Sequence, residues 1–380
     1  MNIEIKAINP KRRKPLFYIS FIKFIAMILI IKWHIIPWKR RPIDYGARMC
    51  EILFIASGFL VGYNYYQKSL PCTFFFSFKY VYRHLRAVYP LIFINTLYRI
   101  FFYLNNKPIK LLDIEVFTIN ILMMVPWSRY YSFTLSLNGI SWFISIIYFC
   151  YFLTPFLLFG IKNIKVSLIL LLTIDVIRIS IEEFICKGAT NILDINFHFG
   201  PIIRCMEFYL GMLLIPLYFK LKYYLDKMKN YFMFKMFFSF IQVILVIFIH
   251  YLMLKYNNIL YRCYFIQFSL IFIFITGYDY GYLSNIFSIT ICRKIMSCQV
   301  EMYLMQITID KTLKKSKAII YLENQLNREI LFLIKLIIIF GFSFIYILFF
   351  KERFAKYMDK VSLFFYKIFS DNHSFNFQSN

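Results

Sequence analysis

The sequence predicts an all-α, polytopic membrane protein with a bundle of about ten transmembrane helices. Two observations predict this fold class. Hydrophobic residues make up 61% of the 380-residue chain, and the mean hydropathy is +0.63, too high for a water-soluble domain of this length. Apolar runs also recur along the chain, and each is long enough to cross a hydrocarbon core of roughly 30 Å.

The predicted spans are separated by short polar segments. They cover Leu16–Ile36, Cys50–Tyr65, Pro90–Tyr103, Asn138–Leu158, Val166–Phe184, His198–Phe219, Phe232–Leu254, Leu260–Tyr278, Ser297–Ile309 and Glu329–Phe350. Asn105–Trp127 begins with polar residues and its apolar part is too short for a span, so we expect it to be re-entrant or interfacial. Residues 1–350 should therefore form the membrane bundle, and residues 351–380 should form a polar cytoplasmic tail.

The net charge of +25 is spread between the apolar runs rather than gathered in one patch. This distribution favours loops beside anionic cytoplasmic lipid over nucleic-acid binding. The basic segment Lys6–Lys14 places the N-terminus, and with it the C-terminal tail, in the cytoplasm. The loop Lys39–Arg48 goes against this rule, because it is basic and should lie outside.

The first span carries two polar residues whose spacing is informative. Lys23 and His34 are eleven residues apart, which is three helical turns plus about 20°, so both leave the helix on one face. They should lie about 16 Å apart along the axis. Ionisable residues at membrane depth usually face a bundle interior or a wet cavity. The alternative for His34 is a simple hydrogen bond to a neighbouring helix.

Arg83 and Arg86 follow the second span in an aromatic, basic stretch. Their spacing of three residues predicts neighbouring positions on one helical face, where two guanidinium groups can bind phosphate oxygens bidentately. The alternative is a general cluster of positive charge that marks the cytoplasmic side.

Two later spans each carry a pair of opposite charges three residues apart: Asp175 with Arg178, and Arg204 with Glu207. This spacing predicts neutralising pairs within the helices, and structural salt bridges between helices are the alternative. Together with Lys23 and His34, the pairs predict a polar cavity inside the bundle.

The sequence predicts no metal site and no permanently bound cofactor. It has no H-E-x-x-H helix, no G-x-x-x-x-G-K loop and no G-x-S-x-G turn. The eight cysteines show no zinc-ligand spacing and fall mostly in apolar runs, so we expect buried thiols.

Five short motifs occur in order along about two-thirds of the chain. They are Lys23 with His34, Ser57–Gly58–Phe59–Leu60, Arg83–His84–Leu85–Arg86 with Tyr89–Pro90, Trp142–Phe143–Ile144 with Tyr151 and Pro155, and Arg204 with Glu207, Phe208 and Gly211. In this set the chain resembles the acyltransferase-3 family, bacterial integral-membrane enzymes that O-acylate glycans and other acceptors. It departs from the commoner family pattern at Lys23, where Arg is usual, at Ile147 and at Gln306.

The resemblance implies a protein of the bacterial inner membrane that draws an acyl group, often acetyl, from cytoplasmic acyl-CoA. The acceptor would be a hydroxyl of a cell-surface or exported glycan, or of a lipid-linked saccharide. Arg83 and Arg86 would bind the CoA phosphates, and His34 would be the general base or an acyl carrier. Lys23 would stabilise the thioester or oxyanion. The remaining polar cavity residues would be Ser57, Trp142, Asp175, Arg178, Arg204 and Glu207.

The competing function is transport by a glycan exporter or flippase without acyl-transfer chemistry. A polar cavity between helices would serve it equally well, and dependence on acyl-CoA separates the two. A glycan polymerase or ligase is disfavoured, because it predicts a large charged outer loop and Asn105–Asn138 is short and poorly charged.

Overall fold

A computed structural model of the chain describes residues 14–36, 45–68, 72–104, 111–127, 141–188, 200–255 and 259–373. Within these ranges every regular element is a helix, and no strand occurs. The predicted all-α fold class is confirmed.

We number the α-helices of the described ranges in chain order. They are α1 Phe17–Ile35, α2 Tyr45–Tyr65, α3 Phe74–Leu85, α4 Tyr89–Leu104, α5 Leu111–Ile121, α6 Ser141–Leu157, α7 Ile164–Gly188, α8 Pro201–Leu213, α9 Ile215–Leu225, α10 Phe232–Leu254, α11 Ile259–Thr276, α12 Tyr282–Phe287, α13 Thr290–Met296, α14 Gln299–Leu313, α15 Lys317–Gln325, α16 Arg328–Tyr346 and α17 Glu352–His373. Short 3₁₀ turns follow α5 and α6, and a π-helical turn joins α16 to α17.

Five helical segments of the described chain are long and apolar enough to cross a membrane: Phe17–Ile35, Ser141–Ile161, Pro201–Leu225, Phe232–Leu254 and Arg328–Ser362. Helices α2 and α7, with 21 and 25 residues, are also long enough, but both carry buried charged residues. Helix α5, with 11 residues, is too short to span. These helices indicate a membrane protein, and the total of about ten spans stays a prediction.

Helices α1 and α2 form an antiparallel pair. Near the start of α1, the Tyr63 hydroxyl of α2 donates a hydrogen bond of 3.1 Å to the Lys14 carbonyl oxygen. Near the other end, Gly46 of α2 lies so close to Trp33 that an added Cβ would meet its indole ring. These two contacts hold α1 and α2 in register along their length.

Helices α2 and α8 run in parallel and in very close contact. A Cβ on Gly58 would overlap the Phe208 carbonyl oxygen, and a Cβ on Gly211 would overlap the Ile55 carbonyl oxygen. Small residues allow membrane helices to approach in this way, and Gly58 and Gly62 form a G-x-x-x-G pair. Two of the sequence motifs therefore pack directly against each other.

The start of α1 is capped by a distant side chain. The Asp279 carboxylate accepts hydrogen bonds of 3.1 Å from the backbone N–H groups of Phe17 and Tyr18. A carboxylate at this position satisfies free donors and complements the helix dipole. The turn after α11 thereby fixes where α1 begins.

Helix α3 is amphipathic and contacts the C-terminal helix α17. The Arg86 guanidinium, just after α3, forms an ion pair of 2.5 Å with Asp359 of α17. The Tyr82 hydroxyl donates a hydrogen bond of 3.1 Å to the same carboxylate. The predicted polar tail is therefore helical from Glu352 to His373 and is attached to the segment that carries the arginines.

Candidate functional site

A cavity of about 760 Å³ lies between α1, α2, α3 and α6. It is beside the Phe17 end of α1, because its lining begins with Pro15 and Leu16. Four of its lining residues come from four different sequence motifs: Lys23, Ser57, Arg83 and Tyr151. The volume is in the range of small-molecule and cofactor sites, roughly 300–1,000 Å³.

The cavity is electropositive. Lys23, Lys68 and Arg83 line it, and none of its described lining residues is acidic. Within the described chain, neither Lys23 nor Arg83 forms an ion pair with a carboxylate. Arg83 is exposed, whereas Lys23 is half-buried and Ser57 is buried. The arrangement suits an anionic ligand that enters beside Arg83 and extends inward past Lys23.

The structure separates Arg83 from Arg86. Arg83 faces the cavity, while Arg86 is paired with Asp359 on α17. The Arg86 guanidinium donates a hydrogen bond to the Asp359 carboxylate, and this contact raises the pKa of Arg86 although burial opposes the rise. A bidentate phosphate clamp by both arginines would therefore require the contact with Asp359 to break.

His84 lies between these arginines and also lines the cavity. Its Nδ1 is 2.9 Å from the Tyr80 carbonyl oxygen, so Nδ1–H donates this bond and Nε2 is left as an acceptor. Its ring also packs against the rings of Tyr80 and Tyr151, at 4.6 and 4.9 Å between centroids. Burial lowers the pKa of His84 and so favours its neutral form. Sequence reasoning did not select His84 as a site residue, although it lies within the Arg83–Arg86 motif.

His34 does not line this cavity among the described residues. It is half-buried near the Ile35 end of α1, about 16 Å along the helix from Lys23. Its ring meets the Trp33 ring edge-on, with 4.8 Å between centroids. Trp142 is likewise absent from the cavity lining: it is buried on α6, edge-on to Phe143 at 5.9 Å.

Arg204 is the centre of a buried charged network. Its Nη1 donates hydrogen bonds of 2.7 Å to both carboxylate oxygens of Glu207. The same nitrogen lies 3.4 Å from Glu51 Oε1 on α2, and Glu51 also pairs with Arg48. The predicted Arg204–Glu207 pair is therefore present, and it also joins two helices through Glu51.

Helix α7 contributes the other half of this network. Arg178 Nη1 donates a hydrogen bond of 2.7 Å to Glu182, and its Nε lies 3.6 Å from Asp175. Gln267 of α11 donates a hydrogen bond of 3.0 Å to Asp175. Arg178 is also near enough to Glu207 to interact electrostatically. The predicted Asp175–Arg178 proximity is present, but Glu182 makes the shorter contact.

We call this set of seven residues the charged network. Its members are Arg48, Glu51, Asp175, Arg178, Glu182, Arg204 and Glu207. Three arginines face four carboxylates, so the network is close to neutral. Sequence reasoning missed Arg48, Glu51 and Glu182, and charged residues within or beside apolar runs were the available signal. In the described chain, no group of three or more His, Cys, Asp and Glu residues has the arrangement of a metal site.

The fold and these sites define a helical protein with apolar helices long enough for a membrane, a cationic cavity and a neutralised charged network. No protein-family model, no curated protein and no solved structure matches the chain. The resemblance to acyltransferase-3 enzymes therefore stays a prediction that depends on the motifs.

Proposed function

We propose that this protein is a membrane-bound O-acyltransferase. It would move an acyl group, with acetyl as the expected group, from cytoplasmic acyl-CoA to a hydroxyl of a cell-surface or exported glycan. The observation that supports this proposal best is the convergence of Lys23, Ser57, Arg83 and Tyr151 on one cavity. These residues are far apart in sequence and were singled out by separate motifs.

The cavity provides the donor site. CoA carries several phosphates, and guanidinium groups bind phosphate oxygens by strong, charge-assisted hydrogen bonds. Arg83, exposed at the cavity, would bind a phosphate, and Lys68 would add positive charge nearby. The narrower pantetheine arm would then extend past Ser57 toward Lys23. In this orientation the Phe17 end of α1 faces the cytoplasm.

The reaction transfers an acyl group from sulfur to oxygen. His34, as the general base, removes the proton of the acceptor hydroxyl while the oxygen attacks the thioester carbonyl carbon. The new C–O bond forms, the C–S bond breaks, and CoA leaves as a thiolate that takes up a proton. Lys23 supplies positive charge where the oxyanion develops.

The separation of Lys23 and His34 along α1 sets a requirement for this mechanism. The two residues lie about 16 Å apart on one side of the helix. Acyl-CoA binding must therefore connect the cavity to His34, so that the thioester and the acceptor hydroxyl meet between the two residues.

The proposal is tested by acyl transfer in membranes with defined amounts of the protein. We expect His34→Ala to abolish acyl-CoA-dependent acylation of glycan, because the acceptor loses its base. Lys23→Arg should keep much of the activity, and Lys23→Leu should lose it, because the mechanism requires a cation at this position. The readout is mass analysis of the glycan at equal membrane abundance of each variant.

Lys79→Gln is the matched control, since Lys79 is an exposed cation of α3 that does not line the cavity. Normal acylation by His34→Ala would overturn the role of His34. Glycan translocation that proceeds without any acyl-CoA would instead favour an exporter.

A further inference from the structure

A second cavity, of about 620 Å³, lies along a different face of α1 from the one that carries Lys23. Its lining comes from α1, α2, α10, α11 and α16. Lining residues on α1 and directly after it run from Tyr18 to Ile36, about 27 Å along the helix axis. This length is close to the hydrocarbon thickness of a bilayer, roughly 30 Å. We call this cavity the apolar groove.

Polarity is distributed unevenly along the apolar groove. Most of the lining is aliphatic or aromatic, whereas its charged and imidazole side chains are those of Lys32, His250, Arg328 and Glu329. Lys32, Arg328 and Glu329 lie together at the Ile35 end of α1, because Lys32 Nζ is 2.7 Å from Glu329 Oε2 and Arg328 precedes Glu329 in the chain. Two basic side chains and one carboxylate leave this end positive. In the described chain no carboxylate pairs with Arg328, which is exposed.

The apolar groove opens on the surface of the bundle between α1 and α10. Ile25 of α1 and Val246 of α10 line it, yet these residues are 38% and 47% exposed. Both helices are long and apolar enough to cross a membrane. A molecule dissolved in the bilayer can therefore enter the groove from the side without passing through water.

From these observations we propose that the apolar groove binds a membrane lipid that has one extended apolar chain and a phosphate headgroup. The volume is drawn out over nearly the thickness of the bilayer, which suits an extended chain and does not suit a compact ligand. The apolar chain of the lipid would exchange its contacts with bilayer hydrocarbon for contacts with the groove lining. The phosphate would lie at Arg328 and Lys32, where positive charge matches it.

The position of this lipid also suggests the acceptor class, and this step rests on the proposed acyltransferase function. Trp33 lines the groove at its charged end, and its ring contacts the His34 ring. A saccharide attached to the lipid phosphate would thus be presented beside the proposed base. The acceptor would be a lipid-linked saccharide rather than a free glycan.

The lipid site is tested with farnesyl phosphate as the probe, bound to the purified full-length protein in detergent at fixed salt. We expect Arg328→Gln to weaken binding at least tenfold, through loss of the phosphate contact. Val246→Trp should also weaken it at least tenfold, because the indole would fill the groove. The matched controls are Lys317→Gln, an exposed cation outside the groove, and Ile247→Trp, an exposed neighbour that does not line it.

Two further probes identify what the site recognises. Farnesol has the chain without the phosphate, and inorganic phosphate has the charge without the chain. Weak binding of both would support the proposal. Farnesol binding as tight as farnesyl phosphate would show only an unspecific apolar crevice, and inorganic phosphate competing equally well would show only a surface anion site. Either result, or full binding by Val246→Trp, would overturn the inference.

This experiment is independent of acyl transfer, because it contains no acyl-CoA. If the wild-type protein does not bind farnesyl phosphate but still transfers acyl groups from acyl-CoA, only the lipid site is refuted. Normal lipid binding together with no acyl-CoA binding would refute the acyltransferase and leave the lipid site standing. If the lipid site and the acyltransferase function are both correct, Val246→Trp should lose transfer to a lipid-linked acceptor while keeping acyl-CoA binding.

Discussion

The charged network and the cationic cavity use similar residues in opposite ways. In the network, Arg204 is 1% exposed and its guanidinium is matched by Glu207 and Glu51. In the cavity, Arg83 is exposed and Lys23 half-buried, and no described carboxylate pairs with either. Charges of the first kind are paired with opposite charges, whereas charges of the second kind are available to a ligand.

The comparison separates charges that stabilise the fold from charges that can bind a ligand. A buried charge is stable only when it is paired and hydrogen-bonded, and removing one partner leaves the other uncompensated. A cation that lines an open cavity is partly solvated, so its removal costs the fold little. Substitutions in the network should therefore change stability, and substitutions in the cavity should change ligand binding.

The largest effect is expected for Arg204→Met in the charged network. This change leaves Glu207 and Glu51 buried without their shared partner, and breaking such a pair typically costs about 3–5 kcal/mol. The free energy of unfolding in mixed micelles, measured by denaturant titration, gives the value. Adding Glu207→Gln should recover part of the loss, since one uncompensated charge is removed. A loss below about 1 kcal/mol would place Arg204 with the exposed ion pairs instead.

The second largest effect is expected for Arg83→Gln, which should weaken acyl-CoA binding. A hydrogen bond to a charged group contributes about 1.5–3 kcal/mol, so the affinity should fall at least about tenfold. Arg83→Lys should be intermediate, because Lys lacks the bidentate fork. The measurement is calorimetric CoA binding to purified protein, and the unfolding free energy should be unchanged. If Lys79→Gln weakens binding as much as Arg83→Gln, the effect is general electrostatics and the cavity assignment fails.

Gly58→Ala tests the contact between the two regions, because α2 carries Glu51 of the network and Ser57 of the cavity. The new methyl group would overlap the Phe208 carbonyl oxygen of α8. Overpacking of this kind costs about 1–3 kcal/mol and requires the helices to separate. Gly341→Ala on α16 is the matched control, since no atom lies within 4 Å of its added Cβ. Equal stability of the two variants would mean that α2 and α8 are not in close contact.

The smallest effect is expected for Asp359→Asn. The Arg86–Asp359 pair is 38% exposed on both sides, and such pairs contribute about 0.2–1 kcal/mol. The free energy of unfolding should change by no more than the contribution of this ion pair, while Arg86 becomes available beside the cavity. CoA affinity should then stay the same or rise by a few fold. A fall in CoA affinity would show that α17 supports the cavity rather than competing with the ligand for Arg86.

Helical periodicity made the local part of this structure predictable. The pairs Asp175–Arg178 and Arg204–Glu207 follow from a spacing of three residues, which brings side chains together on any α-helix. The common face of Lys23 and His34 follows from the same geometry. Hydropathy likewise predicted apolar helices because a bilayer requires their backbone groups to be satisfied internally.

The sequence by itself therefore determined the helical membrane class and the charged pairs within single helices. Only the tertiary structure decided that Lys23 and Arg83 share one cavity, that Glu51 joins Arg204, and that Arg86 pairs with Asp359, 273 residues further on. These contacts depend on which helices pack together and how closely, and in α2 and α8 that distance is set by Gly58 against a backbone carbonyl. Packing between helices is a property of several distant segments at once, so no local pattern encodes it.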